Sequence, residues 1–321
     1  MDLVAALALQ IVYGIANLVL ISIGLAVIFG MMRVINLAHG EFLMLGGYTV
    51  IVATNGGVNI WIAMFILAPL IVGIIGLIVE WVLIRFLYGR MVDTLLATWG
   101  LSLFFIGLVT SIFGAQTATT IAPPFGPITI GEFSSSGYEL FLILVAILLV
   151  GMLYFLLRYT KLGLVARGTM QAADMAAALG VSTQRVYSTT FGIGAALSGL
   201  AGGLLAPITG ILPTIGAIYI GKAFITVISG GTAILAGTAS ASILLGGING
   251  IVSFVIGPTM GEVALLLLAI FLLRLMPRGI TGRVFKRSRC NQPERPTLSC
   301  RLGSSAWSCC SLRPRASSSL R

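Results

Sequence analysis

The sequence predicts an all-α integral membrane protein, a polytopic bundle of about eight transmembrane helices. Three observations carry this. Hydrophobic residues fill 58% of the 321 positions and charged residues only 9%, and the mean hydropathy is +1.09. A water-soluble domain needs far more charge to cover its surface. The apolar residues also fall in long unbroken runs rather than alternating, which favours helices over a closed barrel. Hydrocarbon offers peptide groups no partner, so each run must pair its backbone internally.

With ~20 apolar residues taken as one crossing, the runs read in order as Leu3 to Gly30, Val58 to Trp81, Leu95 to Phe113 and Leu140 to Leu157. Thr189 to Ala206, Ile218 to Leu235, Ala239 to Ile256 and Glu262 to Arg274 follow. The run Phe42 to Ala53 spans only 12 residues. It is either a half-helix that enters and returns or a tilted crossing. The total is therefore eight or nine. The opening "MDLVAALALQ" lacks a positive leader, so the first span is expected to serve as its own targeting signal.

Positive charge orients the bundle. Arg85 and Arg90, then Arg158, Lys161, Arg167 and Arg185, then Arg278 and Arg283 mark cytoplasmic segments. Gly114 to Gly137 has no lysine or arginine and reads as external. The N-terminus lies outside if Phe42 to Ala53 crosses, and inside if that run is re-entrant.

The net charge of +10 is concentrated at one end. Residues 284–321 carry +7 of it and all four cysteines, Cys290, Cys300, Cys309 and Cys310. Residues 1–283 form a cysteine-free transmembrane body with no disulfide framework. The tail is rich in serine, arginine and cysteine, reads as disordered or non-native, and lacks the aromatic interleaving of a nucleic-acid binder.

Two stretches stand out for function. "RYTKLGLVARGTMQAADMAAALGVSTQRVYSTTF" is alanine-rich, helix-prone and too polar to cross, so residues 158–188 read as short helices on the cytoplasmic face. Gly180 is placed to end the helix containing "ADMAAAL". Its length argues against a mere connector.

The other is "RVINLAHGEFLMLGGYTV", which sets Asn36, the sole histidine His39, Gly40 and Glu41 between two apolar runs. One histidine and one carboxylate fall short of a zinc ligand set, so no metal site is expected. Phosphate-loop and nucleophile-elbow motifs are missing as well. The chain is thus expected to be no enzyme, to hold no cofactor, and to depend on another subunit for any ATP hydrolysis.

Three smaller features follow. Gly192, Ala195, Ala196, Gly199 and Gly203 offer close helix approach. Lys222 reads as an interfacial side chain that snorkels. Glu80 and Arg85 read as interfacial partners.

The blocks "RVINLAHGEFLMLGGY", "YGRMVDTLLATWGLSL", "AALGVSTQRVYSTTFGIGAALSGLAGGLLAP" and "LMPRGITGR" occur in the order found in the permease subunits of ABC importers for branched-chain amino acids and for urea or short amides. The chain resembles that family over residues 8 to 283. "DTLLATWGLSL" with "FGAQ" looks more like the urea-type branch.

The resemblance implies an ABC importer permease fold in a bacterial inner membrane. Its implied partners are a second homologous permease, two ATP-binding cassette ATPases, an external solute-binding protein and membrane lipid, with no nucleic acid. It further implies that Arg167, Asp174, Ala177, Leu179 and Gly180 belong to the segment that docks on the ATPase. Gly114 to Gly137 would face the binding protein. Asn36, His39, Gly40 and Glu41 would brace a helix break beside the pathway, and transport would proceed by alternating access. The rival reading is an ion-coupled secondary transporter, which would be expected to carry a coupling-ion site within its spans.

Overall fold

The computed structural model describes residues 2–32, 34–114, 122–130, 133–231, 234–275 and 279. Arg33, Arg278, Arg283, residues 115–121 of the external segment and the whole 284–321 tail lie outside the described residues.

The chain begins with α1 (Asp2–Met32) and, after an irregular stretch, α2 (His39–Asn55). Next comes one long helix in three parts, α3 (Ile60–Ile62), a π-helical turn (Ala63–Leu67) and α4 (Ala68–Val82). Pro69 causes the widening, because its ring collides with the carbonyl one turn earlier and it offers no N–H to the ladder. A tight cytoplasmic turn (Ile84–Phe86) leads to α5 (Met91–Phe113).

Outside, β1 (Pro127–Ile130) and β2 (Phe133–Ser136) form an antiparallel hairpin that leads into α6 (Gly137–Tyr159). Two short helices, α7 (Lys161–Gln171) and α8 (Ala173–Ala178), precede α9 (Thr183–Thr209). The chain then runs through α10 (Ile215–Gly230), α11 (Ile234–Val255) and α12 (Pro258–Leu275).

Seven described helices are long and apolar enough to cross a membrane: Val4–Met32, Ile60–Phe86, Met91–Phe113, Gly137–Tyr159, Thr183–Thr209, Leu235–Val255 and Pro258–Leu275. The shorter apolar helix Ile215–Gly230 and the 17-residue α2 complete the expected eight or nine.

Close packing at small residues sets the directions of these helices. Gly24 meets Gly194 and Ser198, and Gly194 meets Ile28, so α1 and α9 run antiparallel. Gly73 and Gly76 of α4 lie on Ala196 and Ala195, while Gly199 lies on Val72, so α4 is also antiparallel to α9. Gly14 of α1 packs on Gly246 and Gly250 of α11 in the same manner. α1 therefore ends on the side of the bundle where α9 begins, beside Arg185.

The packing has an internal order that no sequence repeat discloses. A long helix, a break, a short helix and a further long helix occur twice, as α1, α2, α4 and as α9, α10, α11. Each short or following helix packs on the long helix of the other half: α2 and α4 on α9, α10 and α11 on α1. Since α1 and α9 point oppositely, the halves are inverted. The two short helices meet at their starts, where a Cβ on Gly40 would collide with the carbonyl of Gly216.

Candidate functional site

The break between α1 and α2 lies deep in the bundle. His39 Nε2 is 3.1 Å from the carbonyl oxygen of Ile21, which is 11 residues before the end of α1, or ~16 Å at the helical rise. Its Nδ1 is 3.1 Å from Ser198 Oγ, near the middle of α9. Residues 34–38 therefore climb back from the end of α1 to mid-bundle before α2 begins. The short hydrophobic run is the body of a helix that starts inside the membrane at His39 and runs outward along α9.

Irregular backbone at this depth has to be satisfied by the protein, and here it is. Leu37 N–H donates to Thr98 Oγ1 at 3.2 Å and Ala38 N–H to Asn36 Oδ1 at 3.0 Å. His39 N–H reaches the Asn36 carbonyl at 3.4 Å, and Glu41 N–H the Ala38 carbonyl at 3.1 Å. Asn36 thus makes the side-chain turn that replaces a helical turn. A carbonyl only accepts, so His39 Nε2 carries a proton.

Glu41 sits in the first turn of α2, 1% exposed. Ser102 Oγ of α5 donates to its Oε1 at 3.0 Å. Its carboxylate lies against Gly216 in the first turn of α10, where any side chain would strike it. Among the described residues, Glu41 Oε2 and Asn36 Nδ2 are buried without a hydrogen-bond partner. The structure therefore gathers Asn36, His39, Gly40 and Glu41 around one point. It adds Thr98, Ser102, Ser198 and Gly216, which sequence reasoning missed. Thr98 and Ser102 are four apart on α5 and share a face, a signal that was present in the sequence but had no partner to give it meaning.

The second cluster lies on α7, α8 and the turn that follows them. Arg167 is half-buried on α7, its Nε donating to the Gly163 carbonyl at 3.3 Å. Ala172 breaks the helix, and α8 carries Asp174 and Ala177 exposed to solvent. Gly180 ends the turn at a φ of +86°, with its N–H on the Ala177 carbonyl and that of Val181 on Ala176. Met175 and Leu179 are 69% and 85% exposed. An apolar pair held outward on a short helix and its C-terminal cap is a surface suited to a partner. The two clusters stand apart, joined by the lower half of α9.

Lys222 has a half-exposed partner, its Nζ 2.6 Å from Glu262 Oε1 on α12. One expectation changes. Glu80 is buried and accepts from Tyr88 Oη rather than pairing with Arg85. Burial, and donation to Glu80, push the Tyr88 hydroxyl well above its usual range.

Comparison with known proteins places these features in context. Residues 7–276 match the family described as branched-chain amino acid transport system, permease component. The chain is 29% identical over 279 residues to the high-affinity branched-chain amino acid transport system permease protein LivH of Salmonella typhimurium, covering 82% of this chain and 91% of that protein. LivH of Escherichia coli gives the same identity and coverage. BraD of Pseudomonas aeruginosa, of the same description, is 31% identical over 284 residues, covering 82% of this chain and 91% of BraD. No solved structure matches.

Proposed function

Because the chain belongs to the family of permease components of branched-chain amino acid transport systems, we propose that it lines the translocation pathway of an ATP-driven importer. It is a multi-pass inner-membrane protein and a transport subunit. The observation that carries the proposal is the family match, which covers the helical body from α1 to the end of α12.

In this reading two ATPase subunits close on ATP and push on α8, with Arg167, Asp174, Ala177, Leu179 and Gly180 forming the docked segment. Because α8 leads directly into α9, and α9 packs on α1, α2 and α4, displacement below moves the break above. A second permease, homologous to this one, completes the pathway, and an external binding protein delivers the solute to the Gly114 to Gly137 side. Asn36, His39, Gly40 and Glu41 brace the break beside that pathway, which opens to one side at a time.

The names of the relatives support branched-chain amino acids as the solute. A second reading, urea or short amides, is supported by "DTLLATWGLSL" on α5. That block supplies the Thr98 and Ser102 hydroxyls at the break. Uptake of labelled leucine, urea and acetamide by cells with and without the gene separates the two. Loss of leucine uptake alone supports the first, and loss of urea or acetamide uptake alone supports the second. Unchanged uptake of all three overturns the importer reading.

A further inference from the structure

The transport reading leaves one atom unexplained. Glu41 is 1% exposed, its Oε1 is engaged by Ser102, and its Oε2 has no partner in the chain. A buried carboxylate oxygen left unpaired is costly, and ionisable groups within membrane spans generally mark solute pathways. Burial opposes the charge, and two helix ends offset part of that cost. Glu41 lies in the first turn of α2 and against the first turn of α10, so the positive ends of two inverted short helices meet there. Gly216 leaves the room it occupies.

Access is short. Glu41 is covered on one side by α5, whose Ser102 is half-exposed and whose outer face presents Leu103, Phe104 and Leu108. Of α5 only Thr94, Thr98, Phe105 and Val109 are buried.

We propose that Glu41 Oε2 is the acceptor for an N–H group of the transported solute, deepening the transport reading on which it rests. The shared chemistry is a nitrogen donor: the ammonium of an amino acid or the amide NH2 of urea. In the absence of solute, Ser102 and the start of α10 hold the carboxylate in place. When α5 moves, the free oxygen takes a solute N–H while Ser102 keeps the other oxygen fixed. Glu41 is then a solute-contacting residue as well as a brace.

The test uses the complete importer, with ATPases and binding protein, reconstituted in liposomes and supplied in turn with labelled leucine and urea. The readout is solute moved per ATP hydrolysed at saturating loaded binding protein; loss of a brace alone would also lower the ATP hydrolysis that loaded binding protein stimulates, which loss of a solute contact leaves unchanged. For an ammonium-bearing solute, Glu41→Gln lowers this ratio about tenfold or more, because a charge-assisted hydrogen bond becomes a neutral one. For urea, Glu41→Gln keeps the acceptor and stays within about threefold, while Glu41→Ala loses it.

Should the variants fail to assemble, wild-type complex reports instead. A hydrophobic carbodiimide modifies Glu41, read by mass spectrometry, and loaded binding protein with ATP protects it. Unchanged coupling in both assembled variants, or labelling indifferent to solute, overturns the assignment while transport stands. Wild-type complex that moves neither solute overturns the substrate reading and this assignment with it.

Discussion

The His39 imidazole lies 3.1 Å from Ser198 Oγ through Nδ1, and its Nε2 binds the carbonyl of Ile21. One ring thus ties the irregular segment to both long helices at mid-bundle. His39→Ala strands the Ile21 carbonyl and removes packing at a fully buried site, and should lower stability by ~2–4 kcal/mol. Ser198→Ala should cost less, ~1 kcal/mol, since the single hydroxyl proton serves either His39 Nδ1 or the Gly194 carbonyl and little volume is lost. Thermal unfolding of the purified permease in detergent orders the two; equal losses would show that the ring's volume and its bond to Ile21 add nothing to the Ser198 contact.

Glycine positions should divide sharply by what surrounds them. A Cβ at Gly202 collides with the backbone of Leu43, and one at Gly46 with the backbone of Gly199. Gly202→Ala and Gly46→Ala force α2 and α9 apart and should abolish folded protein. Gly100 and Gly107 on the outer face of α5 meet nothing within 4 Å, so Gly107→Ala should leave the monomer fold intact. Size-exclusion profiles of fluorescent fusions give the comparison.

The cytoplasmic turn should separate folding from coupling. Gly180 has a φ of +86° in open space, so Gly180→Val carries only the backbone penalty of ~1–2 kcal/mol. Leu179→Asp and Met175→Asp change exposed side chains and should leave folding alone. All three are expected to reduce co-purification with the ATPase. Folded permease retaining full ATPase binding in Leu179→Asp would remove α8 from the interface.

The Lys222 and Glu262 pair tests how the α10 and α12 edge is held. Lys222→Met leaves the Glu262 carboxylate without this partner and should reduce yield. The reversed pair, Lys222→Glu with Glu262→Lys, should recover most of it. Failure of the reversal to rescue would mean that each charge has its own partner.

Orientation is directly measurable because residues 1–283 lack cysteine. With the four tail cysteines replaced by serine, Asn55→Cys at the outer end of α2 should react with an impermeant maleimide from outside. Met175→Cys should react only after the membrane is opened. The reverse pattern would invert the bundle.

How much of this was legible beforehand varies with the element. Long apolar runs announced α4, α5, α6 and α9, because hydrocarbon requires an uninterrupted helix of a given length. The short run after His39 could not be placed. Its length fits either a crossing or a half-helix, and only its neighbours, Ile21 and Ser198, show that it starts in the interior. Lys222 looked interfacial because its partner Glu262 is 40 residues away. Gly216, which makes room for Glu41, carries no motif at all.

The sequence by itself determined the class of protein, the charge bias of its loops and the identity of the polar residues that had to be accounted for. Hydropathy, charge bias and composition are local quantities, readable one segment at a time. Tertiary structure alone decided that the chain is folded as two inverted halves and that the starts of α2 and α10 meet at Glu41. Those facts depend on which helix lies against which. That choice is made by close approach at glycines such as Gly40, Gly46 and Gly202, whose partners are far away in the chain.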